Sequence, residues 1–482
     1  MTFETVIGLE VHAELSTKSK IFCGCSTRFG GAPNTHVCPV CTGMPGSLPV
    51  FNRAAADFAI RAGLALNCGI SRHTKFDRKN YFYPDLPKAY QVSQLYLPIC
   101  RDGWLDIETC GTTKRIGIHE IHMEEDAGKL IHDPWEDCSL IDYNRCGVPL
   151  IEIVSEADFR SADEVIAYLE KLREILLFLG VCDCKMQEGS MRADVNLSVR
   201  PSGSAELGTR TEMKNMNSFK AIHRAVIYEA ARQAELIEAG GNVVQETRRW
   251  DDNKDASFAM RTKENAQDYR YFPEPDLLPL EIDEAWLARI KDTMPELAEN
   301  KRRRYVGEMG ITEYDAAMLT TAKPLSDLFE QTSAICKNPK ETANLITGAL
   351  MRLLNDTGTL PEDLSVDAAK LADLILLIQD GVINRNVGKA VLEELFRNGT
   401  DPRRYVEKRG LAMIRDDNFI EAAVDEALAA NGKSVEDYRS GKEKAFGFLV
   451  GQTMKALKGK GDPQIVNRIL LKKLSIIQKR GN

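Results

Sequence analysis

No stretch of about 18 unbroken apolar residues occurs anywhere in the 482-residue sequence, so no membrane-spanning helix is expected. The opening, MTFETVIGLEVHAEL, has early acidic residues and lacks the basic segment followed by an apolar core that marks a secretory leader. A soluble, cytoplasmic protein without a membrane partner is expected. Cysteine is sparse at twelve residues, far below the density of a secreted disulfide scaffold. Several catalytic signatures are also missing: no GxSxG elbow, no HExxH, no Gly/Ser-rich amidase stretch and no GxCxG glutaminase elbow. Asn431-Gly432-Lys433-Ser434 copies the end of a phosphate-binding loop, but Ala427 replaces the required earlier glycine and no strand precedes it.

What is present is ordinary globular chemistry: 63 Lys plus Arg against 71 Asp plus Glu, a net charge of −8, 43% hydrophobic and 28% charged residues. That balance excludes disorder over most of the chain, and the length suits roughly three domains. Residues 1–293 show alternating apolar and polar runs with frequent Gly and Pro, the texture of a sheet-rich α+β domain. Two helices interrupt it. Ser161 and Glu164 form a capping box ahead of VIAYLEKLREILLFLG, closed by Gly180, and a second helix runs from about Ser218 to Ala239. Residues 294–405 carry a helical Leu/Ile/Ala periodicity ending in RNGTDPRRY, which reads as a linker. Residues 406–482 are helical again. Within them, 441–482 hold ten Lys/Arg and two Asp/Glu, a local charge of +8 that leaves −16 on the remainder. An acidic protein with a basic tail suits a polyanionic partner held by the tail; a solvated helix face is the alternative.

Four cysteines cluster in sequence as Cys23-Gly24-Cys25, then Cys38-Pro39-Val40-Cys41. Such paired knuckles present four thiolates tetrahedrally to Zn²⁺, and an all-cysteine set describes a closed, structural site. His36 lies within the loop and could replace one thiolate. Cys68, Cys100, Cys110, Cys138, Cys146 and Cys336 read as small core residues, and Cys182 with Cys184 as a less favoured redox pair.

Alternation places other chemistry on strand faces. In VIGLEVHAE, Glu10, His12 and Glu14 share one side while Leu9, Val11 and Ala13 take the other. In IGIHEIHMEED, His122 and Glu124 share a face with Glu125 opposite. Consecutive carboxylates repel unless cations bind, and hard oxygen ligands suit Mg²⁺. Glu152 sits in the apolar run VPLIEIV, where a buried carboxylate needs a cation. Asp194 is on a third alternating strand, and Arg210, Glu212 and Lys214 on a fourth, a two-signed face suited to a metal with phosphates or to a plain salt-bridge ladder. Lys79, Tyr81 and Lys88 lie in a Pro-stiffened, aromatic-rich loop, where lysines neutralise phosphate and tyrosines stack. Trp250-Asp251 and Asp268-Tyr269-Arg270-Tyr271 repeat that mixture, with core packing as the ordinary alternative.

The motifs VIGLEVHAEL, CxC…CPVC, RKNYFYPDLPKAYQ, HMEEDAGKLIH, DVNLSVR, GTRTEMKNMNSF, MRTKENAQDYRYFPEPDL and FGFLVGQTMKALKGKGDPQ closely resemble the GatB/GatE family of tRNA-dependent amidotransferase proteins, from residue 5 to about 475. The resemblance implies a cradle domain holding a kinase-like site, an inserted zinc knuckle, a helical domain and a YqeY-like tail that holds tRNA. It implies a ligase forming carbon–nitrogen bonds with glutamine as amido-nitrogen donor. ATP and Mg²⁺ would activate the side-chain carboxylate of Glu-tRNA(Gln) or Asp-tRNA(Asn). Ammonia would come from a glutaminase, the A component of a heterotrimer, tied on by a small C component. On that basis Glu10, His12, Glu124, Glu125 and Glu152 are metal-ligand candidates. Asp194 and Glu212 are second-metal or supporting carboxylates, and Lys79, Lys88, Tyr81, Arg210 and Lys214 bind ATP or substrate. The competing expectation is a non-catalytic tRNA-binding scaffold of the same complex.

Overall fold

The computed structural model describes residues 2–133, 135–262, 269–414, 416–457 and 459–479, with backbone alone at 261–262 and 476–479. Asp268, singled out in the aromatic motif, and the last three residues of the basic tail lie outside the described residues. The chain forms two compact units, Met1–Ala298 and Glu299–Asn482. No helix among the described residues is long and apolar enough to cross a membrane.

The first unit is built on a nine-stranded sheet. Its strands in chain order are β1 (Phe3–Glu14), β2 (Gly69–Ile70), β5 (Cys100–Thr109), β6 (Thr112–Glu125), β7 (Pro149–Ser155), β8 (Met191–Pro201), β9 (Thr211–Lys214), β10 (Glu246–Asp251) and β11 (Ala256–Thr262). Two further strands, β3 (Asp77–Asn80) and β4 (Tyr90–Ser93), pair with each other outside it. The spatial order is β11-β10-β9-β8-β1-β7-β6-β5-β2, so the opening strand is central, between β8 and β7.

One face of the sheet is apolar and covered. Leu9, Val11 and Ala13 of β1, Ile151 and Ile153 of β7, Ile121 and Met123 of β6, and Val195 and Leu197 of β8 are all buried there. Against them pack α1 (Arg53–Ala65), α2 (Ala162–Leu179) and α3 (Phe219–Glu238). Both helices expected from sequence form as read. Ser161 accepts from the Glu164 N–H and Gly180 closes α2 in the left-handed region that favours glycine; Ser218 caps α3. The capping box is half made, because Glu164 accepts from the Arg160 N–H and pairs with Lys114 of β6 instead of returning to Ser161. Trp250 is a core residue, 1% exposed, with its indole N–H on Asp252.

The second unit is helical and carries two apolar clusters. One gathers Tyr305, Phe329, Leu350, Leu371, Leu392 and Val406; the other Ile420, Val424, Leu449, Val466 and Leu470. The stretch read as a linker corrects part of the expectation: Pro402–Lys408 is a helix, with Asp401 accepting from the Arg404 N–H and Pro402 in its first turn. An Asp-Pro start is a helix signal that outweighs the preceding Gly399. The Asn431–Ser434 stretch starts a helix at Gly432 directly after another helix, with no strand before it. Two cysteines read as core, Cys110 and Cys138, are exposed, since both sit next to turns at strand ends.

Candidate functional site: a carboxylate and imidazole row across five strands

Because side chains alternate, the face opposite the helices collects the polar set of each strand. Pairing register then brings those sets level. Glu10 stands opposite Asp194 of β8, and His12 opposite Glu152 of β7. Glu152 in turn stands opposite His122 of β6, and Asn196 opposite Glu212 of β9. Two groups result, His12 with Glu124 and Glu152, and Glu10 with Asp194 and Glu212, each offering ligand atoms within 4.8 Å of one another.

In the first group, Glu152 Oε2 lies 3.5 Å from His12 Nε2 and 3.0 Å from His122 Nε2, and Glu124 Oε1 lies 3.3 Å from His122 Nε2. Burial works to raise the Glu152 carboxyl, but the two imidazoles outweigh it and hold it well below the usual range. For His12 and His122 burial opposes the charge, and Glu152 foremost carries both above the ordinary histidine value. Glu124 is fixed by two donors from β4, Gln91 Nε2 at 3.0 Å and Ser93 Oγ at 2.5 Å. Lys79 of β3 has its ammonium 5.0 Å above the Tyr269 ring; burial opposes its charge, but Glu124, Tyr271 and Glu152 raise its pKa. Tyr81 meets the same Tyr269 ring edge-on at 5.8 Å.

In the second group, Lys214 pairs with Asp194 and reaches Glu212 Oε1 at 3.3 Å, while Thr247 donates to Glu212 Oε2 at 2.8 Å. Asn196 Nδ2 donates to Glu10 at 2.9 Å. Glu10 is raised by burial first and then by Glu152, Asp194 and Glu212, the mark of carboxylates crowded beyond the cations present. The buried Asn196 Oδ1 beside them has no hydrogen-bond partner. An oxygen-rich, crowded group with a spare acceptor fits Mg²⁺, and the mixed His12/Glu124/Glu152 set fits a divalent cation as well. A cleft of about 250 Å³ adjoins Glu10, lined by Gly8, Ser155, Asn196, Ser198 and the exposed Arg210.

Glu125 does not join the row. Strand parity turns it to the other side, where Oε1 takes Lys88 Nζ at 2.5 Å and the Val92 N–H at 2.9 Å. Glu125 is absent from the two cation-competent groups found among the described residues, and Lys88 is its ion-pair partner. The sequence reading gives Gln91 and Ser93 no role, and sets His122 on the face of Glu124 without assigning it a task. His122 is signalled by its place between Glu120 and Glu124, whereas nothing local ties Gln91 or Ser93 to a carboxylate more than thirty residues away.

The four knuckle cysteines converge, with Sγ atoms within 4.8 Å of one another and Cys38 to Cys41 at 3.9 Å. Hydrogen bonding from Cys23 lowers the Cys41 thiol, while that same contact and burial raise Cys23. Four soft donors at this spacing fit Zn²⁺. His36 stays outside the group, its N–H donating to Asn144. Cys182 and Cys184 are both buried and free.

Comparison with known proteins identifies the family. The family profile described as the GatB/GatE catalytic domain matches residues 5–288, and the GatB domain profile matches 327–474. A protein of Lachnoclostridium phytofermentans, named as the B subunit of aspartyl/glutamyl-tRNA(Asn/Gln) amidotransferase, is 63% identical over 98% of this chain and 99% of its own length. Proteins of the same name from Caldicellulosiruptor bescii, 58% identical over 99% of this chain and 100% of their own, and from Thermoanaerobacter sp., 54% identical over 98% and 100%, are similar throughout. With its carboxylate row falling inside the first matched region, the chain belongs to the GatB/GatE family.

Proposed function

We propose that this chain is the B component of an aspartyl/glutamyl-tRNA(Asn/Gln) amidotransferase and that its carboxylate row is the site of side-chain activation. The observation carrying the reading is the convergence of Glu10, His12, Glu124, Glu152, Asp194 and Glu212 from five strands into two cation-competent groups on one sheet face.

A carboxylate is a poor acyl donor, so Glu-tRNA(Gln) or Asp-tRNA(Asn) is first phosphorylated by ATP on its side chain. The acyl phosphate formed then reacts with ammonia, which displaces phosphate and leaves the amide. Glu10, Asp194 and Glu212 would hold one Mg²⁺, and His12, Glu124 and Glu152 a second divalent cation. Such ions offset phosphate charge and align in-line transfer. Lys79 and Lys214 reach the two groups as fixed positive charges for phosphate oxygens, and Arg210 at the cleft rim adds a third. Gln91 and Ser93 hold Glu124 in its orientation. Ammonia is supplied by the glutaminase, the A component, with the small C component completing the heterotrimer, in the cytoplasm.

The remaining domains follow: residues 294–405 a helical domain, and 406–482 a tail that engages tRNA through its +8 segment. The knuckle holds structural Zn²⁺. The test is acyl-phosphate formation on Glu-tRNA(Gln) by the reconstituted complex with ATP and Mg²⁺, comparing wild type with Glu152→Gln. Loss in the variant with tRNA binding kept supports the reading; equal activity, extended to Glu10 and Glu124 variants, returns the chain to a scaffold role.

A further inference from the structure

We infer that Lys20 is the charge-compensating positioning residue of the Cys23/Cys25/Cys38/Cys41 site, and that it holds that site in its zinc-binding form. The inference rests on reading the site as a zinc centre. Lys20 is wholly buried at 0% exposure, which is rare for lysine and costly unless the ammonium meets an anion. Among the described residues it makes no ion pair with a carboxylate. Its ammonium donates to Cys41 Sγ at 3.6 Å and to the Tyr143 carbonyl at 3.2 Å. A neutral thiol is a weak acceptor, so beside the Tyr143 carbonyl the ammonium is held best when the Cys41 sulfur is a thiolate.

Four thiolates around Zn²⁺ leave a net charge of about −2 in a low-dielectric setting, and one ammonium against a ligand sulfur offsets part of it. The backbone makes the placement specific. Lys20 N–H donates to the Cys25 carbonyl at 3.0 Å, so the residue is tied to the first knuckle by its main chain and to the second by its side chain. The next residue, Ile21, donates to the Gly147 carbonyl at 2.9 Å, and Cys146 Sγ donates to the Cys41 carbonyl at 3.3 Å, bracing the second knuckle from the other side. A methionine would fill the same space without a charge to bury, so the ammonium is explained by the sulfur it faces.

The test measures zinc affinity of the full chain by chelator competition, and the spectrum of its Co²⁺ form, for wild type, Lys20→Met and Lys20→Gln. Loss of a group supporting a metal ligand weakens binding about 10–100-fold, and that is the expected effect of Lys20→Met. Its sulfur-to-cobalt charge-transfer bands should also move to lower energy, because the sulfur loses its donor. Lys20→Gln, a neutral and shorter donor, guards against misfolding of the methionine variant and should fall in the same direction. Wild-type affinity and spectrum in a folded variant would overturn the inference alone. A wild-type chain that binds no zinc, or binds it with fewer than four thiolates, would overturn the zinc reading and this inference with it.

Discussion

Glu152 and His12 face each other as register partners on adjacent antiparallel strands, Oε2 to Nε2 at 3.5 Å. The same oxygen takes His122 at 3.0 Å, so one carboxylate is clasped between two imidazoles. Glu152→Gln removes the negative charge both rings depend on. Acyl-phosphate formation should fall about 100-fold or more, while tRNA affinity stays within about twofold. Single-turnover kinetics alongside filter binding separates the two effects.

Glu125 gives the opposite expectation, because its partner is Lys88 and not the row. Glu125→Gln should retain the phosphorylation step. It leaves the Lys88 ammonium largely buried beside a neutral amide, at a cost of about 1–3 kcal/mol in stability. Urea unfolding with the same single-turnover assay checks both halves, and loss of the phosphorylation step would return Glu125 to the ligand set.

Glu229 of α3 is buried under the sheet and accepts from Arg232 at 2.6 Å and from Thr211 and Gln233, each at 2.9 Å. Burial works to raise its carboxyl, but Arg232 and then Gln233 outweigh it and the net shift is downward. A carboxyl lowered on folding adds stability above its unfolded value, and that stability is lost as pH falls through the folded value. Glu229→Gln should therefore lose about 2 kcal/mol at pH 7, with the gap to wild type narrowing in acid. Denaturant titrations at neutral and acid pH measure the difference.

For the tail, the apolar clusters fix where to cut. Val406 belongs to the first helical cluster of its unit, so truncation at 405 would damage that core. Removing residues 416–482 takes away the second cluster and the +8 segment together. Affinity for tRNA should drop, and the slope of log K against log salt should shrink by about 0.7–0.9 for each phosphate that is no longer neutralised. An unchanged slope would rule out the tail as a phosphate-binding element.

On the proposed zinc reading, Cys38→Ser should abolish tight zinc binding and lower the melting temperature of the first unit to that of the chelator-treated wild type, so that chelator causes no further loss in the variant. Differential scanning calorimetry with and without chelator reads both effects.

Most of the row was legible because strand alternation is a local rule. VIGLEVHAE alone places Glu10 and His12 on one side, and the structure keeps them there. Register is not local. That Asp194 meets Glu10, or that Gln91 and Ser93 reach Glu124, depends on which strands become neighbours, and no short stretch of sequence carries that information. Parity is visible in Glu124-Glu125 itself, which sets the two carboxylates on opposite faces. The cysteines are legible as a set because their spacing is local, whereas nothing in the residues around Lys20 signals its burial. Pro402 was visible in sequence, yet its helix was hidden by the glycine and asparagine before it.

The central strand uses one backbone for two jobs, with core residues on odd positions and the row on even ones. A shift of one residue in its pairing would drive Glu10, His12 and Glu14 into the apolar layer under the helices and turn Leu9, Val11 and Ala13 outward. Chemistry and folding therefore share a single proofreading step: a chain that has mispaired β1 has no core to stand on, so an assembled but scrambled site cannot persist. By the same logic a one-residue insertion in β1 should be far more damaging than most substitutions that respect its parity.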